Sequence, residues 1–348
     1  MVFGLIVLTS ASSVVSYEKF GSSFYLVRHQ ILFGVLPGVV FFLITLRIPY
    51  RMWRTLGPPL FFLTLLLLVL VVIPGIGRKL GGSRSWFTIG DLSFQPSELA
   101  KLSFILYIAA WFEMKREKLR ELKFGLVPFG VIIGIPAVLI MLQPDIGTLT
   151  ILGAIALFLA FIVGMRLKHL AGAIGLGTLL LFMLIKIAPY RTARLTTFVH
   201  PELDPQGVGY HINQALLAVG SGGLFGVGFG HSRQKFRYLP EVTGDSIFPI
   251  LAEELGFLVS VGFVVLILVI LMRMFRIARD APDHFSKYTV IGIAGWLGIQ
   301  SFVNIGSMLG VLPLTGLPLP FVSYGGTALA VELAAVGIVG SISRSVQT

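Results

Sequence analysis

The sequence contains no cysteine and few charged side chains. Of its 348 residues, 12% are charged and none is cysteine. Disulfides, thiol nucleophiles and thiolate metal sites are therefore excluded. A charged fraction this low is unusual for a water-soluble domain. Acidic residues are fewer than basic ones, with 16 Asp and Glu against 27 Lys and Arg, and the formal net charge is +11.

Apolar residues make up 55% of the chain, and the mean hydropathy is +0.91. Apolar runs of about 18 to 25 residues recur, and about 20 helical residues cross the hydrocarbon core of a bilayer. The first run lacks the basic flank and cleavage site of a signal peptide. The sequence therefore predicts an all-α integral membrane protein, a bundle of about ten transmembrane helices with one long extracytoplasmic loop. We place the helices at roughly 2–16, 31–48, 59–76, 97–112, 125–142, 146–164, 169–187, 246–272, 288–311 and 322–343.

Lys and Arg in the short loops orient these helices, because cytoplasmic loops carry an excess of basic residues. The pattern places both termini in the cytoplasm, and among the external segments it predicts, 77–96 and the much longer 188–245 carry most of the external basic residues. Within the longer one, the apolar stretch 212–219 predicts partly helical structure. Because the basic residues are dispersed among many loops, a nucleic-acid-binding surface is not expected. The orienting residues are Arg47, Arg51, Arg54, Lys115, Arg116, Lys118, Arg120, Lys123, Arg166, Lys168, Arg273, Arg276, Arg279, Lys287 and Arg344.

Basic residues also occur in the two external segments, where membrane topology disfavours them. Arg84 lies beside Trp86 in the shorter segment, and Arg233 and Lys235 lie in the longer one. Two interpretations are open. These residues are ordinary solvated charges that contact membrane lipids, or they form a site for a phosphate-bearing lipid. The other basic residues in these segments include Arg78, Lys79, Arg191, Arg194 and Arg237.

Ionisable side chains within or at the ends of apolar spans are costly in a bilayer and mark candidate functional sites. Glu98 and Lys101 are three residues apart on one predicted helix, so they can pair. The pair either neutralises two charges or serves a substrate. Asp145 stands where a predicted helix begins, and helix capping is the simpler interpretation of it.

Asp245 opens the predicted span at 246–272. Capping explains an aspartate at this position, but a carboxylate at the aqueous edge of the bilayer is also suited to deprotonate a hydroxyl nucleophile. The nearby basic cluster would then stabilise a phosphate leaving group. Glu253 and Glu254 lie about two turns further along the same helix, where they either line a polar pocket or pair within the bundle.

Two common sequence patterns of functional sites, the dinucleotide fingerprint and the metal-binding spacing of histidines, have little support here. The glycines from Gly220 to Gly230 lack the preceding strand and the βαβ context of a dinucleotide fingerprint, so that interpretation is rejected. The six histidines are scattered without H-E-x-x-H or a comparable spacing, so no dedicated metal site is predicted.

Five motifs occur in order along the chain. They are Ser10-Ala11-Ser12, the segments Gly82–Phe87 and Gln95–Lys101 (QPSELAK), Gln143–Thr148, the long segment from Gln214 to Gly256, and Leu312–Gly326. Together they resemble the SEDS family (shape, elongation, division, sporulation), and the resemblance covers essentially the whole chain. QPSELAK is the most specific of them.

The resemblance implies a peptidoglycan glycosyltransferase that polymerises lipid II on the outer face of the bacterial cytoplasmic membrane. Asp245 would be its catalytic carboxylate, a general base for the 4-hydroxyl of the acceptor sugar. Undecaprenyl pyrophosphate would leave from the donor sugar. Arg84, Arg233 and Lys235 would bind pyrophosphate, and a divalent cation, Mg²⁺ or Mn²⁺, is a candidate to share that task.

The same resemblance implies that Glu98, Lys101 and Asp145 shape the polar cavity and position the catalytic carboxylate. One departure concerns the residues before that carboxylate. The family usually has His-Thr there and this chain has Thr243-Gly244, so the neighbouring imidazole is missing although the aspartate stays in register.

The segments Asp204-Pro205 and Arg233-Gln234-Lys235 are more similar to the FtsW branch of the family than to the RodA branch. The resemblance then implies a role at the division septum, with a class B penicillin-binding protein as the transpeptidase partner. Three alternatives stay open: a RodA-like elongation polymerase, a lipid II flippase, and a non-catalytic scaffold. A flippase predicts charge near the bilayer midplane on discontinuous helices.

Overall fold

A computed structural model shows a mostly helical chain and describes residues 1–80, 83–119, 121–187, 192, 196–198 and 207–346. The described helices are α1 (Val2–Phe20), α2 (Tyr25–Arg47), α3 (Tyr50–Val72), α4 (Pro96–Lys115), α5 (Val127–Met141), α6 (Ile146–Val163), α7 (Leu167–Ile187), α8 (Val208–Ser221), α9 (Ile247–Arg279), α10 (His284–Met308) and α11 (Gly326–Val346). The strands are β1 (Arg78–Leu80), β2 (Ser83–Ile89) and β3 (Leu92–Phe94). Gly82, Arg120, Arg191, Arg194 and the Asp204-Pro205 segment lie outside the described residues.

Six of the described helices are long and apolar enough to cross a membrane: α2, α3, α6, α9, α10 and α11. A helix overlaps each of the ten segments predicted to span the bilayer. In the part of the chain that the structure describes, the other four of these helices do not combine the required length and hydropathy. The count of ten spans therefore stays a prediction.

The chain divides into two compact units, each built from three separate segments. The first unit comprises Met1–Leu32, Leu180–Ile270 and Gln300–Gly325. The second comprises Phe33–Leu179, Leu271–Ile299 and Gly326–Thr348. Glu98, Lys101, Asp145 and Arg84 belong to the second unit, whereas Asp245, Arg233 and Lys235 belong to the first.

In the second unit, glycines let neighbouring helices approach closely. A Cβ at Gly57 of α3 would lie 3.1 Å from the Cβ of Leu106 on α4. A Cβ at Gly337 of α11 would lie 2.6 Å from the carbonyl oxygen of Phe42 on α2. Small residues at such crossings are typical of helices that pack in membranes, where backbone proximity replaces the hydrophobic effect as the source of attraction.

The segment 77–96 contains a three-stranded antiparallel sheet in the order β1-β2-β3, so the expectation of an all-α chain is wrong here. Lys79 on β1 is the cross-strand partner of Arg84 on β2. The hydroxyl of Ser83 donates a hydrogen bond to the carbonyl oxygen of Gln143, which precedes α6. The sheet is thereby attached to the helices of the second unit, and it fixes the backbone that carries Arg84.

In the first unit, α1, α8 and the first part of α9 share an apolar core. Leu8 of α1, Ala215 of α8 and Ile250 of α9 are fully buried in it. Met308, the last residue of α10, belongs to the same core. The helix α8 confirms the partly helical structure that the apolar stretch predicts.

Helix α9 is interrupted at Gly256, which has φ 78° and ψ −179°. This region of backbone space favours glycine. A Cβ there would lie 2.2 Å from the amide nitrogen of Gly226. Just before the break, the carbonyl oxygen of Glu253 accepts a hydrogen bond from the amide of Val227 at 3.0 Å. The glycine cluster therefore packs its backbone against a broken helix and supplies the hydrogen bonds that the helix lacks there.

Candidate active site

Asp245 lies half-buried in the turn immediately before α9, and buried side chains hold the main chain of that turn. Asn304 of α10 is fully buried, and its Nδ2 donates to the carbonyl oxygen of Asp245 at 2.8 Å and to that of Leu317 at 2.7 Å. The hydroxyl of Ser323 donates to the carbonyl oxygen of Gly244 at 2.6 Å. These contacts fix the position of Asp245 without using its carboxylate.

The carboxylate of Asp245 faces the segment that follows α10. A Cβ on Gly316 would lie 3.9 Å from Oδ2 of Asp245. Gly316 has φ 72°, a conformation that other residues adopt rarely. Glycine at this position therefore places no side chain of its own against that oxygen.

Asn304 was not predicted from the sequence, although one signal was available. It is an amide inside an apolar segment predicted to span the membrane, where a polar side chain is costly unless it has partners. Ser323 belongs to a recognised motif, Leu312–Gly326, but its spacing from Gly244 does not reveal the contact. Both residues act on the main chain of the Asp245 turn.

The ammonium group of Lys235 lies inside the first unit, and its side chain is 3% exposed. Its Nζ is 2.9 Å from Oε1 of Glu254 and donates to the hydroxyl of Ser10 at 3.0 Å and to the carbonyl oxygen of Gly230 at 2.7 Å. An ammonium group has three N–H donors, and these partners engage all of them. Lys235 therefore has internal partners where the sequence predicted a pyrophosphate.

Glu253 and Glu254 are both buried and both pair within the unit, one of the two alternatives that the sequence left open. The hydroxyl of Ser232 donates to Oε2 of Glu253, and the amide of Arg233 donates to Oε1 at 2.9 Å. The amide of Ser232 donates to Oε1 of Glu254 at 3.2 Å. These buried carboxylates and the groups around Ser232 therefore serve as hydrogen-bond partners for one another.

Arg233 and Arg237 lie on the surface of the first unit. Nε of Arg237 is 2.8 Å from Oε2 of Glu18, but this pair is exposed, and exposed pairs contribute little to stability. Among the described residues, no carboxylate forms an ion pair with Arg233. Its guanidinium is therefore accessible to an external anion.

In the second unit, Arg84 projects from β2 and is only partly enclosed. Its Nη1 lies 3.5 Å from the carbonyl oxygen of Val72, at the outer limit of a hydrogen bond. Its Nε is buried and has no hydrogen-bond partner within the described part of the chain. A buried donor without a partner costs about 1–3 kcal/mol, so Arg84 retains hydrogen-bonding capacity for an external acceptor.

Glu98 and Lys101 form the pair that their spacing predicts, on the first turns of α4. Nζ of Lys101 lies 2.8 Å from a carboxylate oxygen of Glu98, and the two side chains are 0% and 4% exposed. The same Nζ lies 5.1 Å from the ring centroid of Trp296 on α10. The pair is thus enclosed in the interior of the second unit.

Asp145 caps α6, as its position predicts. Its Oδ1 accepts a hydrogen bond from the amide of Thr148 at 3.0 Å, and its Oδ2 accepts from the hydroxyl of Thr148 at 2.7 Å. Oδ2 also lies 3.4 Å from the hydroxyl of Ser97, the neighbour of Glu98. Ser83, the neighbour of Arg84, bonds to Gln143, so the chain next to Arg84 and the chain next to Glu98 both contact the turn that contains Asp145.

The donor set for a metal ion is weak. Within the described ranges, no three His, Asp or Glu side chains are placed to hold one. Glu254 and Asp145 direct oxygens at internal donors. The described residues therefore contain no cluster of three such side chains that could hold a divalent cation.

Comparisons with known proteins place this geometry in a family. The whole chain, residues 1–348, matches the family model for cell cycle proteins that covers FtsW, RodA and SpoVE. Stage V sporulation protein E of Bacillus subtilis (strain 168) is 42% identical over 346 residues, which cover 99% of this chain and 94% of that protein. The probable peptidoglycan glycosyltransferase FtsW of Trichlorobacter lovleyi is 38% identical over 345 residues, which cover 99% of this chain and 90% of that protein.

Solved structures agree with this assignment. A chain from a peptidoglycan synthase complex, studied for how polymerization and crosslinking are coordinated, superposes with a TM-score of 0.80 at 30% identity and covers 99% of this chain and 98% of its own. The rod shape determining protein RodA of Thermus thermophilus superposes with a TM-score of 0.70 at 30% identity, and the match covers 100% of this chain and 96% of the RodA chain. The resemblance to the SEDS family is thus confirmed, and the chain belongs to the FtsW/RodA/SpoVE family of cell cycle proteins.

Proposed function

We propose that the chain is an FtsW-like peptidoglycan glycosyltransferase that polymerises lipid II and releases undecaprenyl pyrophosphate. The observation that carries the proposal is the placement of Asp245, a half-buried carboxylate on a turn held by the buried side chain of Asn304. It occurs in a chain with several relatives named as probable peptidoglycan glycosyltransferases. Polymerisation requires a base of this kind, because a sugar hydroxyl is a weak nucleophile.

In the proposed reaction, ionised Asp245 accepts the proton of the acceptor 4-hydroxyl while that oxygen attacks the anomeric carbon of the donor. The bond from the anomeric carbon to the pyrophosphate oxygen breaks, and the carbon inverts. The fixed main chain of the Asp245 turn supports this role, because a base must be held within hydrogen-bond reach of the proton it removes. Gly316 supports it because a glycine places no side chain of its own against Oδ2.

The pyrophosphates require cations, since both the leaving group and the acceptor lipid carry one. We assign Arg233 and Arg84 to this task. Arg233 is exposed and has no ion-pair partner among the described residues, and Nε of Arg84 lacks a hydrogen-bond partner within the same part of the chain. Both are arginines, whose forked donors match phosphate oxygens. Lys235 was predicted from the sequence to bind substrate. Because its ammonium group pairs with Glu254 inside the first unit, we assign it a structural role instead.

Glu98, Lys101 and Asp145 receive supporting roles in the second unit. The buried pair of Glu98 and Lys101 neutralises two charges, and Asp145 fixes the start of α6. Because Glu98 and Lys101 engage each other and Asp145 engages Thr148, these residues are better suited to shaping a polar cavity than to binding phosphate directly. Their replacement would then change the fold of the unit before it changed substrate affinity.

We further propose a single SEDS domain over 1–348, with ten spans, both termini in the cytoplasm and 188–245 outside. The basic-loop pattern supports this topology. Because the native chain contains no cysteine, a single introduced cysteine reports its own side of the membrane. Labelling of a cysteine at 200–210 from the cytoplasmic side alone would overturn the topology.

A class B penicillin-binding protein is the partner we propose, and the bacterial division septum is the site of action. The structural match to a chain from a peptidoglycan synthase complex supports such a partner. The similarity to a stage V sporulation protein favours sporulation as a second candidate process for the same chemistry. A fluorescent fusion imaged in dividing and in sporulating cells distinguishes the two processes.

A lipid II flippase is the second candidate activity, and one observation favours it. Helix α9 is broken at Gly256 beside the buried residues Glu253, Glu254 and Lys235, and transporters often place charges at such breaks. The carboxylates and the ammonium are, however, engaged by internal partners. We therefore rank polymerisation first.

One experiment separates the candidates. The purified protein is incubated with lipid II, alone and with the class B penicillin-binding protein, and the products are resolved by size. In parallel, vesicles that carry fluorescent lipid II are tested for translocation. Glycan strands support the polymerase. Translocation without strands supports a flippase, and neither activity in the presence of partner binding supports a scaffold.

A further inference from the structure

A histidine from α8 reaches the neighbour of Asp245. Nε2 of His211 lies 2.6 Å from the hydroxyl oxygen of Ser246. That hydroxyl in turn lies 3.4 Å from Oδ1 of Asp245, and Ser246 is fully buried. The three side chains therefore form a row that ends at the carboxylate.

The chemistry of the three groups sets the direction of the hydrogen bonds. An ionised carboxylate only accepts, so the hydroxyl of Ser246 donates its proton to Asp245. The oxygen of Ser246 then accepts from His211, which must carry its proton on Nε2. The 3.4 Å separation is long, as catalytic hydrogen bonds often are in enzymes without substrate, and such bonds shorten in the reactive complex.

Packing fixes the position of the imidazole. Ile212, the next residue of α8, is buried in the same apolar core as Ile247, the first residue of α9. Ala215, one turn further along α8, is fully buried there too. The helix that carries His211 is therefore packed against the helix that begins beside Asp245, and the row does not depend on a mobile surface side chain.

We propose that His211 is a positioning residue which, through the hydroxyl of Ser246, orients the Asp245 carboxylate toward the acceptor hydroxyl and favours its ionised form. The inference rests on the proposed function, in which Asp245 is the base. A hydrogen bond to a carboxylate stabilises its charged state, and a base must be charged before it accepts a proton. His211 itself does not contact the substrate.

The test uses four variants in a lipid II polymerisation assay with the penicillin-binding partner present: His211→Ala, His211→Gln, Ser246→Ala and the double alanine variant. We expect His211→Ala to lower kcat about tenfold, the scale of one lost hydrogen bond to a charged group, with KM for lipid II unchanged. The acid limb of the pH–rate profile should move to higher pH. Glutamine retains an N–H donor, so His211→Gln should recover most of kcat.

The double variant tests whether His211 acts through Ser246. If it does, Ser246→Ala lowers kcat as much as His211→Ala, and the double variant is no slower than either single one, because both changes remove the same contact. A parental kcat and pH profile in both His211→Ala and Ser246→Ala would overturn the inference, as would fully additive losses. If His211→Ala does not fold, His211→Gln and Ser246→Ala decide the matter in the same way.

Asp245→Asn keeps this test separate from the proposed function. Polymerisation at the parental rate by Asp245→Asn shows that Asp245 is not the base and refutes the proposed mechanism, whereas a parent protein that makes no glycan from lipid II refutes the proposed function. An inactive Asp245→Asn together with fully active His211→Ala and Ser246→Ala overturns the positioning role of His211 alone.

Discussion

Replacement of Asp245 by asparagine separates a structural aspartate from a catalytic one. The residues that fix its turn, Asn304 and Ser323, bond to main-chain oxygens, which the substitution leaves in place. Asparagine retains the Oδ1 acceptor for Ser246 and caps helices about as well as aspartate. The free energy of unfolding should therefore change by no more than about 0.5 kcal/mol.

Activity should respond quite differently. An amide cannot act as a general base, and the loss of such a base typically slows a reaction by roughly 10²- to 10⁴-fold. That range corresponds to about 3–5 kcal/mol of transition-state stabilisation. We expect Asp245→Asn to express, to melt like the parent and to bind its transpeptidase partner, while making no detectable glycan from lipid II. Gel analysis of the strands and thermal unfolding in the same detergent give the two readouts.

The matched control is Glu241→Gln. Glu241 is exposed, and its carbonyl oxygen accepts from the amide of Gly244 at 2.9 Å, so it belongs to the same turn as Asp245. This variant should polymerise normally. Parental polymerisation by Asp245→Asn would refute the mechanism. Asp145 and Glu254 would then be the next carboxylates to test, although internal donors already contact an oxygen of each.

The remaining predictions concern one cation, one buried pair and one glycine. Arg84→Gln should raise KM for lipid II about 10- to 100-fold. Lys79 is the exposed cross-strand partner of Arg84, and Lys79→Gln should leave KM unchanged. Equal KM values for the two variants would favour ordinary contact with lipid headgroups. Lys235→Met leaves a buried carboxylate unpaired and should cost about 3–5 kcal/mol in thermal unfolding, so a parental melting curve would contradict its assigned role. Gly256→Ala should prevent normal folding, because its Cβ would lie 2.2 Å from a backbone nitrogen, whereas Gly262→Ala meets nothing within 4 Å and should melt at or above the parental temperature.

Local contacts were predictable from the sequence because their partners lie within one helical turn. The pairing of Glu98 with Lys101 follows from their separation of three residues, and the capping of α6 follows from the place of Asp145 before an apolar run. The approximate positions of the helices follow from hydropathy, because an apolar run is also a local feature of the sequence. The sheet at 78–94 was missed because its strands are short and carry no clear alternation.

Contacts between distant residues could not be predicted in this way. Lys235 is 225 residues from Ser10, and no spacing in a polar segment reveals that its ammonium group is buried. The break in α9 was hidden because Gly256 lies within a segment, Ile247–Arg279, that otherwise resembles one continuous span. The sequence places no histidine directly before Asp245, and the imidazole of His211 comes from a helix 35 residues away from the serine it contacts.

The short part of α9 before Gly256 and the long part after it have different surroundings. The short part begins beside Asp245, and the buried pair of Glu254 with Lys235 and backbone bonds to the glycine-rich segment hold it in place. The long part exposes apolar side chains such as Leu266, which is 50% exposed, as expected of a surface in contact with lipid. An apolar replacement of Leu266 should therefore leave polymerisation unchanged. Lys235 lies beside the helix that Asp245 precedes, so its replacement should slow the reaction although it does not bind the substrate.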